Sequence, residues 1–235
     1  RSEYNNVVRD LLFVDFKPAQ DFPADDTGYG FDNIGDVLSM SPLLMEKYLD
    51  AAETIAAAAV VIPPNQGEPT EFQQEYFKLP VAKDAEAGAF DEFVAKFMRR
   101  AYRREIRDAE ITRMLAVSKA ATGEGVPLEA RVQVVIQAVM VSPHFLFRWE
   151  LDGAPSNPKA IRRLNEYELA SRLAFFIWSS GPDDRLLDLA AKGALRKQLE
   201  SEVQRMLADS RAEALVENFA GQWLQLRNLN VVRPD

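Results

Sequence analysis

Apolar residues recur along this chain at helical rather than alternating spacing, beginning with its first residues. Tyr4, Val7, Val8, Leu11 and Leu12 fall on one face of a helix that Ser2 can cap. Ser41 followed by Pro42 is an N-cap and first-turn signal, predicting a helix to about Val61 that Pro63 and Pro64 stop. Its alanines (Ala51, Ala52 and Ala56 to Ala59) lack bulk, so a neighbouring helix can come close. Phe90, Phe93, Val94, Phe97 and Ala101 mark a third helix. Asp108 should cap a fourth, carrying Ile111, Met114 and Leu115 and stopping near Gly123 and Gly125. Pro127 opens a fifth through Val132, Val135, Ile136 and Val139, interrupted at Ser142 and Pro143.

Asn165 and Glu168 form a capping box for a sixth helix. Pro182, Asp183 and Asp184 start a seventh that should end at Gly193, with acids at the positive end of its dipole. Leu199, Val203, Met206 and Leu207 belong to an eighth. Asp209 or Ser210 should cap a ninth, with Leu215, Val216, Phe219, Trp223 and Leu224. Neither strand alternation nor an internal repeat is evident. The expected fold is all-α, about nine helices in two packed helical segments joined across residues 63–88.

Composition changes this picture only at the joints. Residues 63–88 turn to Pro, Gly, Gln and Glu without periodicity, which predicts a linker or long loop. Residues 151–163 are a second loop, with Gly153, Pro155 and Pro158. The expected organisation is an N-terminal helical module over 1–62, a central module over 89–150 and a C-terminal module over 164–235. The last is expected to be incomplete. The start at Arg1 suits a mature protein or a piece of a larger one.

Charge and residue usage narrow the function classes. A net charge of −8 argues against nucleic acid as a partner. The absence of cysteine excludes disulfides, thiolate metal sites, cysteine nucleophiles and haem attachment through CxxCH within these residues. No apolar run approaches the roughly 20 residues that span a bilayer. No GxGxxG, P-loop or HExxH pattern occurs.

A few side chains remain as candidates for chemistry. The loop from Phe22 to Asp36, FPADDTGYGFDNIGD, places Asp25, Asp32, Asn33 and Asp36 near one another, hard oxygens of the kind calcium takes. Set in the calcium-loop register, Asp25, Gly30, Asn33 and Asp36 fit, whereas Thr27, Tyr29 and Asp32 do not. The competing reading is a structural loop whose acids cap backbone amides. His144, the only histidine, lies in SPHFLFRWE and could ligate a partner's haem iron or pack as a capping residue. Arg99, Arg100, Arg103, Arg104 and Arg107 form a basic stripe that could grip a haem propionate, an anionic polysaccharide or an acidic partner. Its plainer reading is pairing with the chain's own acids. Tyr167, Phe175, Phe176, Trp178, Phe219 and Trp223 are expected in the core, and Asp183 and Asp184 as first-turn residues rather than an acid–base pair.

Three blocks carry a family resemblance. They are SEYNNVVRDLL with FPADDTGYGFDNIGDVLSMSPLLMEKYLDAAE, then FMRRAYRREI with VSPHFLFRWE, then LNEYELASRLAFFIWSSGPDDRLLDLAAKGAL with RMLADSRAEALVENFAGQWLQLRNL. In content and order they resemble domains of unknown function first noted in large secreted cytochromes of planctomycetes. The resemblance implies a periplasmic or extracellular protein whose helical modules follow a haem c-bearing segment. It implies no cofactor within this chain, and a scaffold or docking role toward a redox partner or further modules. Departures are the missing CxxCH and the missing cysteines ahead of the RRAYRR block. Two other readings stay open: a polysaccharide-acting enzyme using Asp25, Asp32 and Asp36 or Asp183 and Asp184, and a structural assembly subunit, which predicts a large exposed apolar patch.

Overall fold

The structure is a computed structural model that describes residues 1–24, 28–29, 31, 34, 39–62, 68–77, 85–123, 125–150, 157 and 161–226. Among these residues the fold is all-α, and the one β-type contact is an isolated bridge between Gly28 and Phe31. Helix α1 spans Ser2–Leu12 and buries Val7, Val8, Leu11 and Leu12. Ser2 is its first helical residue rather than its cap, and Arg1 holds the cap position without a side-chain bond. The helix stops where Phe13 turns left-handed (φ 56°) and its N–H reaches back to the Arg9 carbonyl.

Helix α2, Pro42–Ala59, begins as its sequence predicts, with Ser41 Oγ accepting from the Leu44 N–H at 3.1 Å. It ends two residues before Val61 because other groups take the backbone there. Val60 is extended and its carbonyl accepts from Gln133 Nε2 at 2.8 Å. The Val61 N–H donates to Gln73 Oε1 at 2.9 Å, and Gln73 Nε2 donates back to the Val61 carbonyl at 3.1 Å. A buried side-chain amide thus satisfies peptide groups that the helix would otherwise have paired. The alanine face (Ala52, Ala56, Ala59) is buried, and α6 lies against α2.

Within the stretch expected as a linker, residues 71–76 form helix α3 (Glu71–Tyr76), opened by a Thr70–Gln73 capping box. Phe72 is fully buried, edge-on to Phe93 and Phe97. Composition concealed this element because one phenylalanine and one glutamine anchor six residues. Helix α4 (Glu86–Tyr102) buries Phe90, Phe93, Val94, Phe97, Met98 and Ala101. Helix α5 runs Asp108–Thr122. Asp108 is its first residue, not its cap, and Glu110 instead accepts the Arg107 N–H at 3.2 Å. Gly123, at φ 81°, closes it in a conformation unfavourable to residues with a Cβ. Helix α6 (Leu128–Met140) and the single-turn α7 (Pro143–Leu146, capped by Ser142) complete the first core.

Helix α8 (Glu166–Trp178) starts on the predicted capping box, with Asn165 Oδ1 accepting from Glu168 N–H and Glu168 Oε2 from Asn165 N–H, both 2.8 Å. Helix α9 (Asp184–Ala191) is capped by Asp183, and α10 (Leu199–Ala208) follows a short 3-10 turn. The expected ninth helix takes another form. Asp209 caps a 3-10 turn at Ser210–Ala212, and Leu215–Ala220 is a π-helix continuing into α11, Gly221–Trp223.

Two apolar cores result, and the division between them falls after α7 rather than across residues 63–88. The first gathers α1 to α7 around Val8, Leu12, Ile55, Phe97 and Ile136. The second gathers Ala170, Ala174, Trp178, Leu186, Leu195 and Met206. Phe175 of α8 packs into the first core while its helix builds the second. Polar contacts lock the seam: Ser180 Oγ donates to Asp10 at 2.7 Å, Asn6 Nδ2 to the Ser179 carbonyl at 3.2 Å, and Arg172 grips Glu150 through two 2.6 Å bonds.

Candidate functional site

The expected calcium ligands Asp25, Asp32, Asn33 and Asp36 lie outside the described residues. Among the described residues no group of three or more His, Asp or Glu side chains converges on a point where an ion could sit.

The basic stripe is not one surface. Helix α4 ends at Tyr102, and Arg103 turns left-handed (φ 59°), so Arg104 and Arg107 leave the helical register that the stripe assumes. Arg99 donates to Asp188 at 2.7 Å. Arg100 donates to the Tyr76 hydroxyl at 3.0 Å and lies 3.6 Å from Asp184. Arg104 forks onto Glu110 at 2.7 and 3.0 Å. Arg103 is buried, donating from Nη1 to the Ala101 carbonyl at 3.0 Å. Its Nη2 donates to the carbonyls of His144, Phe145 and Phe147 at 2.9 to 3.1 Å. Burial, and then Arg148, push its pKa down to about 10, so it stays charged at neutral pH.

His144 sits between the rings of Tyr102 (5.3 Å) and Trp149 (5.7 Å). Burial first, then Arg104, hold its imidazole below the ordinary histidine range, which keeps it neutral at pH 7. Asp183 accepts from the Leu186 N–H at 2.9 Å and from Arg205 at 2.9 Å. Asp184 faces Arg100, so these two carboxylates are turned to different cations.

Such arginine-held carboxylates make stability depend on acid. Bonds from Arg104, then the Arg107 backbone, hold Glu110 down to about 2, and Arg211 holds Asp209 down to about 2. A carboxyl depressed on folding stabilises above its unfolded pKa and loses that contribution as pH falls through its folded value. Thermal stability is therefore expected to fall between about pH 4.5 and 2. Glu110→Gln should lower Tm near pH 7 by about 2–4 °C, the effect of about 1 kcal/mol after solvent screening. The gap from the parent should close at pH 2, and an equal gap at both pH values would refute the assignment.

A cleft of about 590 Å³ lies elsewhere, where α1, the start of α2, α7 and the π-helix meet. That volume is in the range of small-molecule sites. Its apolar wall holds Tyr4, Tyr48, Phe145 and Phe175, and its polar side carries Arg103, Arg148, Glu3, Ser179, Asn218 and Gln222. Tyr4 packs against Phe22 and Tyr48 (ring centroids 5.2 Å each) and Phe145 (6.0 Å). Its hydroxyl oxygen is buried and has no hydrogen-bond partner among the described residues. Burial, with Tyr48 alongside, pushes this phenol well above its ordinary pKa, so it is a donor at any physiological pH. Arg148 lies over the Phe175 ring (4.7 Å) and 3.5 Å from Glu3. Sequence reasoning missed the cleft because its walls come from separate stretches. Tyr4 reads there as one more member of an apolar stripe.

On the outer side of the same π-helix, aromatic rings face solvent. Phe219 stacks on Phe31 and Trp223 (6.1 Å each, interplanar 21°), and Phe176 meets Phe219 edge-on at 5.9 Å. Phe176, Phe219 and Trp223 are 58, 42 and 65% exposed, which corrects their expected place in the core. Trp178 and Phe175 are buried as expected. The physical reason is that the second core is already filled by Trp178, Leu186, Leu195 and Met206, and the segment after Ala212 lies outside it. No helix among the described residues is long and apolar enough to cross a membrane.

Residues 1–61 match the family model described as PSD3, protein of unknown function (DUF1587). Residues 89–150 match PSD5, protein of unknown function (DUF1595), and residues 164–235 match PSD4, protein of unknown function (DUF1592). No curated protein and no solved structure matches the chain. The chain is thus a helical assembly of three domains of unknown function, in the order DUF1587, DUF1595, DUF1592.

Proposed function

We propose that this chain is a docking module of a larger exported protein, and that the exposed aromatic face of its C-terminal segment seats a cytochrome c-type redox partner. The observation that carries the docking part of this reading, which a structural assembly subunit would share, is the exposed set Phe219, Trp223 and Phe176 in ring contact, with half-buried Phe31 stacked on Phe219; the haem test below separates the two. Contiguous exposed aromatics at this density are what protein interfaces bury at their centres. The polar candidates support docking over catalysis, because the described carboxylates of the Asp183 and Asp184 pair are held by arginines. The redox character of the partner and the location outside the cytoplasm follow from the resemblance of the three sequence blocks to cytochrome-associated domains.

The test is purification of the intact protein from its native source, with visible absorption recorded across a gel-filtration profile. A Soret band is expected to travel with this chain. In residues 1–235 mixed with the separately produced haem-bearing segment, Trp223→Glu with Phe219→Glu should abolish co-elution of that band while far-ultraviolet circular dichroism stays unchanged, since both side chains are exposed. Colourless protein, or haem retention by the double variant, would overturn the proposal.

A further inference from the structure

The cleft beneath the π-helix has properties that a docking face does not need. Its volume suits a small molecule, one wall is aromatic, and the buried Tyr4 hydroxyl there has no hydrogen-bond partner among the described residues. A buried donor left unpaired is costly, and native proteins retain one where something else completes it. The charge of the lining is also opposite to that of the protein. On a chain of net charge −8, the cleft's described lining carries Arg1, Arg103 and Arg148 against Glu3 as its acid. Arg103 has its bonds to backbone carbonyls, so its charge reaches the cleft without a carboxylate in bonding contact among the described residues. Arg148 shares Glu3 at 3.5 Å, a loose contact that a better-placed carboxylate could displace.

We propose that this cleft binds an amphipathic monocarboxylate, with its apolar body against Tyr4, Tyr48, Phe145 and Phe175 and its carboxylate on the side of Arg148 and Arg103. One acceptor atom of the ligand accepts a hydrogen bond from the Tyr4 hydroxyl. The aromatic wall accepts either a flat ring or an alkyl chain, so carboxylate and apolar body together define the class. The site is independent of the aromatic docking face, which lies on the other side of the π-helix: Asn218 and Gln222 line the cleft, whereas Phe219 and Trp223 face solvent.

The probes are decanoate and 3-phenylpropionate, with decanamide and 3-phenylpropionamide as uncharged counterparts, titrated calorimetrically into the full chain. Saturable binding of at least one acid is expected, with the matching amide weaker by tenfold or more. Tyr4→Phe removes the donor and should weaken the acid about tenfold. The same variant should match or exceed the parent in Tm without ligand, because it removes an unpaired buried hydroxyl. Arg148→Met, which keeps the stem over Phe175, should weaken the acid by a similar factor and leave the amide unchanged. Absence of saturable binding by both acids overturns the proposal. So does equal affinity for acid and amide, or binding unaffected by both substitutions. Decanoate alone binding would identify a chain-type ligand, and 3-phenylpropionate alone an aryl ligand, each within the proposed class.

Discussion

Trp178→Ala is expected to lower the unfolding free energy by roughly 3–5 kcal/mol, the usual range for truncating a fully buried indole. Trp178 is 0% exposed at the centre of the second core, between Ala174, Leu186 and Met206. Its Nε1–H donates to the Met206 carbonyl at 3.0 Å, tying α8 to the end of α10. The Arg211 guanidinium lies 3.6 Å above its ring and that of Arg205 at 5.5 Å. Truncation therefore leaves a cavity, takes from the Met206 carbonyl its shorter hydrogen bond while the Asp209 N–H at 3.4 Å remains, and strips two cations of their π face. Trp178→Phe should cost less, because most of the apolar volume stays and the hydrogen bond goes. Urea titration measures both. Hydrogen exchange should show protection lost first over α8 to α10, with α2, α4 and α6 holding theirs, because the first core contains no part of this indole. A loss below about 1.5 kcal/mol would mean the second core collapses readily around the gap.

The elements that sequence reading placed well are those with a local chemical cause. Ser41-Pro42, Asn165 with Glu168, and the stripe Phe90 to Ala101 each act within four residues of themselves, and each sits where its pattern says. Misreadings arose where the deciding partner is distant. Helix α2 stops early because Gln133 and Gln73 take its last peptide groups, from 73 and 12 residues away. Helix α3 exists in a Pro- and Gln-rich stretch because Phe72 finds the rings of α4. Spacing alone also could not tell Trp178 from Trp223. Both lie on apolar helical stripes, yet one core accepts only the first.

The same distinction governs the candidate sites. A stripe of arginines was evident in the sequence, but its fate depended on one backbone angle. Once Arg103 turns left-handed, the five guanidinium groups part company: Arg99, Arg100 and Arg103 find separate partners, and Arg104 and Arg107 converge on Glu110. The cleft was not evident, since no spacing rule brings Tyr4, Tyr48, Phe145 and Asn218 together. Its signal, an unpaired hydroxyl inside the protein, exists only after packing has excluded water from it.

Arg103→Met is expected to cost roughly 2–4 kcal/mol, because several carbonyls lose a charged donor at once. The guanidinium brackets the C-terminal carbonyls of α7, with no carboxylate in bonding contact among the described residues, and donates to the carbonyls of His144, Phe145 and Phe147 as well as of Ala101. Helix ends leave such carbonyls without intrahelical partners, and a cation is the natural complement to the negative end of the dipole. Methionine fills the volume but leaves those acceptors without this donor, and the Ala101 and Phe145 carbonyls, whose bonds are buried, should cost about 1–3 kcal/mol each. The charge itself is disfavoured by burial: a cation whose pKa falls on folding destabilises below its folded value, and relief begins only above about pH 10. Its bonds must therefore offset that cost across the physiological range, so the methionine variant isolates the bonds from mere packing. Arg103→Lys should fall between the two, since an ammonium cannot span the same fork. Arg99→Met is the control, removing a more exposed pair with Asp188 at an expected cost below about 1 kcal/mol. Urea midpoints for the three variants decide the matter. If Arg103→Met costs no more than Arg99→Met, the carbonyl bracket does not hold α7 in place, and the short turn is positioned by Phe145 packing alone.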